Sequence, residues 1–366
     1  MTAVSGAAVA PERVSGDSQL REAFSPADLR SYWRLFALDH FLGRERADRL
    51  YPGWRSGLQQ RMLETIRRNG ESRVVPLPRI KNLDRKTYFK EFVRKSHPVV
   101  FEGAAKDWEC YRKWSFDWIK QQYGGDDVML VDHAQQDRNP LAKPVEHLTL
   151  ADLIDGMEHG SLKYARFHPL LQRHPELRLD INQAWLREHL TNRYTPWMRF
   201  YTLFLGPKGS DTAIHCAGNE NLFVQVQGQK KWRLYPVSQS PVFDPPANRS
   251  LYKYTGFRAD DPDYERYPMT RHMDWYETVL EPGDVLYNPP YYWHHVSNPT
   301  QSIGVGCRWN NMRTSFDASH TLFTLELFNT NPNVFRGMLM AVNDFNTILA
   351  EGRVDKQQLK LQNRLG

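Results

Sequence analysis

The 366-residue chain is poor in cysteine: Cys110, Cys216 and Cys307 lie far apart, with no C-x-x-C pair. That excludes a disulfide scaffold and a structural zinc knuckle, and it suits a reducing, cytoplasmic setting. No apolar run is long enough to span a bilayer, and the first twenty residues lack the apolar core of a secretory signal, so no membrane partner is expected. Lys and Arg number 48 against 42 Asp and Glu, a net charge of +6, but no polybasic tract gathers the excess. Nucleic acid is therefore not an expected partner. There is no internal repeat and no low-complexity block. What remains, 40% hydrophobic and 13% aromatic, is the composition of a folded chain with a sizeable core.

Residues 1–20 read as a flexible tail and residues 21–73 as an N-terminal helical segment. The first helix is signalled by Ser25 as N-cap, Pro26 at N1 and Asp28 at N3, with Phe24 placed to staple onto Leu29 and Gly43 to end it in the left-handed region. Straight-chain residues from about Gln59 to Arg68 extend the helical reading. From Val74 the texture turns to proline-punctuated, β-branched runs, including His97 to Phe101, and residues 74–316 read as the sheet-rich part. Short apolar runs broken by Gly and Pro every ten residues or so, between about Tyr201 and Trp309, match antiparallel sandwiches and barrels. Residues 317–366 return to helical spacing over Asp317 to Leu327 and Val334 to Leu349. The latter stretch gathers Val334, Met338, Val342 and Phe345 on one face, which suits packing on its own domain or a homodimer contact.

His215 ends one strand-like run and His294 follows another, after the turn Pro282-Gly283. A histidine at such a place is most often an ordinary hydrogen-bonded residue. Lys230 is more unusual: Gln227-Gly228-Gln229 reads as a hairpin turn, and the following strand sets Lys230, Trp232 and Leu234 on one face. An ammonium on an apolar face must meet an anion or reach the rim, since desolvating it alone costs several kcal/mol. A small-molecule carboxylate, a distant acidic residue and the rim all remain open. Arg199 and Arg308, in flanking strands, suit either a substrate carboxylate or a solvated surface. The segment Asp244 to Met273 is long and irregular, as a substrate loop or lid would be.

Asp263-Tyr264-Glu265-Arg266-Tyr267-Pro268, the run Tyr276 to Tyr287 and Tyr291-Tyr292-Trp293-His294-His295 together resemble the JmjC or cupin-like iron(II)/2-oxoglutarate oxygenases, particularly the factor-inhibiting-HIF type of asparaginyl hydroxylase. The likeness runs from about Pro98 to Trp309. It implies a mainly β fold with added helices: a double-stranded β-helix of jelly-roll, cupin and JmjC-like form, with N- and C-terminal helical segments. In that family a His-x-Asp/Glu…His triad holds iron, and a lysine with a hydroxyl holds the distal carboxylate of 2-oxoglutarate. The resemblance places the metal histidines at His215 and His294, with His295 outside the triad. It places the cofactor lysine at Lys230, the hydroxyl at Thr212 and a family asparagine at Asn221, while a second, later asparagine falls on Cys307.

The departure lies at His215-Cys216-Ala217, where Ala217 stands in the carboxylate's place. Residues two apart in a strand share a face, so Ala217 faces the metal and Cys216 points away. Asn219 or Glu220 would have to bend back to substitute. A halide supplies both the missing ligand and the missing charge, and the His-x-Ala pattern resembles the iron/2-oxoglutarate radical halogenases. The expected reaction is thus C–H chlorination using Fe(II), 2-oxoglutarate, O2 and chloride. The alternatives are a hydroxylase with water in the gap and a non-catalytic cupin-shaped binding module. A small molecule, an amino acid or a peptide would each suit as substrate.

Overall fold

A computed structural model describes residues 19–130, 146–191, 199–249 and 252–329. The expected tail at 1–20 falls almost wholly outside them, and so does the helix read at Val334 to Leu349, with the dimer contact it would make. Among the described residues no helix is long and apolar enough to cross a membrane.

Helix α1 (Pro26–Leu42) begins where its cap dictates: the Ser25 hydroxyl accepts the Asp28 amide at 3.1 Å. Gly43 closes it with φ +83° and ψ 148°, a positive φ as expected but with an extended ψ in place of the left-handed helical one. Helices α2 (Arg44–Leu50) and α3 (Trp54–Arg67) follow. Phe24, Leu35, Leu58, Met62 and Ile66 from this helical layer pack with Ile214, Cys216 and Trp293 of the sheet beneath.

The sheet region is a two-layer sandwich of mixed sheets. One sheet has six strands: β1 (Val74–Pro76), β8 (Asp211–Ala217), β10 (Lys230–Tyr235), β11 (Tyr252–Tyr254), β12 (Trp275–Leu280) and β14 (Trp293–Ser297). Their spatial order is β1-β12-β10-β14-β8-β11. The other sheet has seven: β2 (Arg79–Ile80), β3 (Val99–Phe101), β6 (Ala165–His168), β7 (Arg199–Gly206), β9 (Glu220–Gln227), β13 (Val285–Asn288) and β15 (Ser302–Trp309). They run β2-β3-β13-β9-β15-β7-β6. A separate pair, β4 (Asp127–Leu130) with β5 (Glu146–Thr149), lies apart from both.

The alternation along β9 shows how the layers are filled. Leu222, Val224 and Val226 turn outward into a large cluster beneath the flanking helices, while Phe223 turns inward to pack with Phe204, Trp232, Leu234, Tyr276 and Val296 between the sheets.

The structure corrects the hairpin read at Gln227 to Gln229. Strands β9 and β10 belong to different sheets, so this turn carries the chain across the sandwich. The close passage explains the glycine: Gly228 has φ +67°, and a Cβ there would lie 1.8 Å from the Gln301 carbonyl oxygen. The C-terminal helical stretch is also divided, into Met312–Ala318 and His320–Glu326, because Ser319 breaks the first helix and caps the second. The long segment after Asp244 is partly regular. It supplies β11, whose Tyr252 and Tyr254 pair with Ala217 and His215 along the histidine strand.

Candidate functional site

His215 and His294 are cross-strand partners on β8 and β14. Their ring centroids are 4.2 Å apart with planes inclined at 56°, and both side chains are buried. Each Nδ1 lies on a backbone carbonyl, Ala213 O at 2.8 Å and Tyr292 O at 2.9 Å. A carbonyl only accepts, so both Nδ1 atoms carry the proton and both Nε2 atoms keep a lone pair. Burial holds both rings neutral: it pushes His294 down to about 4 and His215 well below its ordinary value, with the neighbouring His294 adding to the shift of His215. Two converging, neutral, tautomerically fixed imidazoles are a donor set that a divalent transition metal accepts.

Ala217 lies on β8 two residues beyond His215 and brings no charge. The two candidates for a substitute carboxylate or amide are committed elsewhere. Glu220 is fully buried and accepts hydrogen bonds from Thr191, Thr314 and Tyr287, its pKa raised by burial to about 7. The Asn219 amide donates to Asn310. One group of three acidic or histidine ligands does come together among the described residues, Asp211, Asp260 and His295. It lies on the other side of β14, where Arg233 already pairs with Asp260 at 2.8 Å and the His295 Nε2 with Asp211 at 3.1 Å.

Lys230 is fully buried, and its Nζ donates to the Tyr164 hydroxyl at 2.9 Å and to Asn298 Oδ1 at 2.6 Å. Both partners are neutral, and among the described residues no carboxylate pairs with this lysine. Lys230 shares a space with the histidines. Its Nζ is 5.7 Å from the Phe223 ring, Phe223 packs on Trp232 at 5.2 Å, and Trp232 stacks on His294 at 5.5 Å. The circuit closes on the other side: Phe223 to Phe204 at 5.5 Å, Phe204 to Phe167 at 5.2 Å, Phe167 to Tyr252 and Tyr252 to His215 at 6.4 Å each.

Thr212 joins this interior through a β-bulge. The register of β8 on β14 shifts between His294 and Val296, so Thr212, three residues before His215, stands opposite the inward Val296. Asn221 is buried opposite Arg308 on β15, and both of its amide atoms lack a partner. Cys307 is not at the site. It pairs with Leu222 and packs in the outer cluster, so the inward positions of β15 are Gly306 and Arg308. A Cβ on Gly306 would sit 3.3 Å from both Asn221 Oδ1 and Arg308 Nε. Of the two arginines, Arg199 stands with Tyr201 on the outward face of β7, whereas Arg308 is buried inside. Sequence reasoning missed Tyr164, Asn298, Phe167 and Tyr252. None sits in a local pattern that marks it, and each reaches the site through sheet topology alone.

A two-sheet jelly-roll with paired histidines facing its interior is the architecture of the cupins, and this chain belongs to the cupin-like family: the profile described as "Cupin-like domain" matches residues 85–315. Among curated proteins, the chain is 25% identical over 220 residues to lysine-specific demethylase 8 of Xenopus tropicalis, covering 58% of this chain and 48% of the relative. It is 25% identical over 233 residues to JmjC domain-containing protein D of Dictyostelium discoideum (59% and 52%). It is 23% identical over 269 residues to tRNA wybutosine-synthesizing protein 5 of Gallus gallus (69% and 82%). The chain spans about half the length of the first two.

Proposed function

We propose that this protein is an iron(II)/2-oxoglutarate-dependent enzyme of oxidative C–H functionalisation, and that its reaction is chlorination, with halide in the position beside His215 that Ala217 leaves open. Bound together, iron(II), 2-oxoglutarate and O2 supply an oxidant able to abstract hydrogen from an unactivated C–H bond. The chain's own residues divide the remaining work. His215 and His294 present neutral Nε2 donors, held in one tautomer by the Ala213 and Tyr292 carbonyls. Lys230, with Tyr164 and Thr212 nearby, meets the distal carboxylate of 2-oxoglutarate, which explains a buried ammonium whose partners among the described residues are both neutral. The ring of Phe223, Phe204, Phe167 and Tyr252 keeps water from the reacting carbon.

One observation carries the choice of halogenation: among the described residues no carboxylate stands beside the histidine pair, since Asp211 pairs with His295 on the other side of β14 and Glu220 is bonded on the opposite face of its strand. The relatives' names, a demethylase among them, favour oxygen insertion as the second reading. A non-catalytic module is the weaker account, because a scaffold gains nothing from a buried lysine facing two buried histidines.

The deciding experiment is an anaerobic absorbance titration with iron(II) and 2-oxoglutarate, first without chloride and then with it. A charge-transfer band that shifts on adding chloride is expected, and Ala217→Asp should keep the band while losing the chloride response. A band indifferent to chloride would transfer the assignment to hydroxylation, and no band at all would leave the binding module.

A further inference from the structure

We propose that Arg308 anchors an anionic group of the substrate, so that the molecule functionalised beside the histidine pair is an organic carboxylate and not a cationic side chain. This rests on reading the histidine pair as the reacting centre, but on neither the halogenase nor the hydroxylase form of it.

Arg308 is 7% exposed. Its Cζ lies 4.7 Å from the Phe167 ring centroid and 5.8 Å from that of Phe204. Among the described residues it makes no ion pair and no hydrogen bond, and its Nε is buried without a partner. A guanidinium held by aromatic faces keeps its N–H edge available, and that planar fork matches a carboxylate two bonds at a time. Across the strand pair, Asn221 adds an amide whose nitrogen and oxygen are both unsatisfied. The two orphans adjoin each other, around the space left by Gly306. Buried polar atoms are almost always bonded, so two unpartnered neighbours mark where a ligand's polar atoms belong.

The backbone beside Arg308 is shaped for this. Strand β6 shifts register on β7 between Ala165 and His168, and within that irregularity Phe167 takes φ +55°, a conformation that a bulky residue rarely adopts. The strain sets the ring against the guanidinium.

Charge separates the substrate classes. Iron(II), Lys230 and Arg308 would carry four positive charges and dianionic 2-oxoglutarate with one halide three negative, with Arg166 a further cation acting on His215 that does not lower the surplus. One positive charge is left over, and water in place of halide leaves two. A carboxylate on the substrate reduces the surplus, while a lysyl or other cationic group would enlarge it in a space where repulsion is poorly screened.

The test uses protein loaded anaerobically with iron(II) and saturating 2-oxoglutarate, so that Lys230 is already occupied. Acetate, benzoate and phenylacetate are titrated against acetamide, benzamide and phenylacetamide, with inorganic phosphate as a further arm, following the charge-transfer band and Tm. The carboxylates should perturb the band and raise Tm, and the amides should not. Arg308→Met should keep the band, weaken the carboxylate response at least tenfold and raise the ligand-free Tm, since it removes a buried cation that has no partner to orphan. Arg308→Lys should show an intermediate response. No response to any of the three carboxylates, equal responses to acids and amides, an unchanged response in Arg308→Met, or preference for phosphate would each overturn the assignment. If the native protein shows no band, the proposed reaction fails, and the same titration of metal-free protein by thermal unfolding still reads the Arg308 site.

Discussion

Asp274 and Asp284, buried on the outside of the sandwich, and the two cations buried inside it are partnered in opposite ways. Outside, Asp274 accepts from the backbone amides and side chains of both Arg21 and Arg73, which hold it well below the usual carboxylate range despite its burial. Asp284 pairs with Arg79 at 2.6 Å. Inside, among the described residues, Lys230 has only neutral partners and Arg308 has two aromatic faces. Where the outer layer buries a carboxylate without a cation, at Glu220, three hydroxyls bond it and burial raises its pKa to about 7, whereas the two inner cations have no such accommodation. That difference is a demand for anions that arrive from outside the chain.

Acid should strike hardest at the buried histidines, in the site and outside it. His294, His168 and His40 are each held at about 4 by burial, and His215 is lowered too, so below pH 6.5 the unfolded chain takes up protons that the native state refuses. Stability of metal-free protein is then full above pH 6.5 and falls toward pH 4, at up to about 1.4 kcal/mol per pH unit for each such histidine. Urea midpoints measured at pH 7, 6 and 5 check this, and a flat profile would refute it. Next in size, Asp274→Ala should cost about 2 kcal/mol in urea unfolding, less than the ~3–5 kcal/mol of a fully buried pair because both arginines reach solvent. Lys230→Met should do the reverse of an outer-layer change. It should weaken 2-oxoglutarate binding roughly tenfold to a hundredfold, in line with about 1.5–3 kcal/mol for a hydrogen bond to a charged group, and leave iron binding largely intact. An equal loss of both ligands would make Lys230 a structural residue.

Much of this is legible in the sequence. The Ser25 cap, the strand that carries His215 and the inward parity of Lys230 follow from local spacing, because caps and period-two alternation are written within a few residues, although that strand runs on to Ala217 instead of ending at His215. What failed was non-local. A two-residue turn does not say whether it closes a hairpin or crosses between sheets, so Gln227 to Gln229 misled. The outward turn of Cys307 and the bulge that brings Thr212 inward depend on register with a distant strand. Tyr164 and Asn298 flank Lys230 from elements far apart in the chain, and no window along the sequence holds all three.

The strand order has a kinetic consequence. Since β14 lies between β8 and β10, neither the histidine pair nor the Lys230 cradle exists until chain segments far apart in sequence have closed on one another. Such non-local pairings form slowly, and no partly folded species with an open sandwich can hold the ligands. Iron and 2-oxoglutarate would therefore bind the finished sandwich alone, and every increment of their affinity would appear as resistance of the whole sheet domain to unfolding.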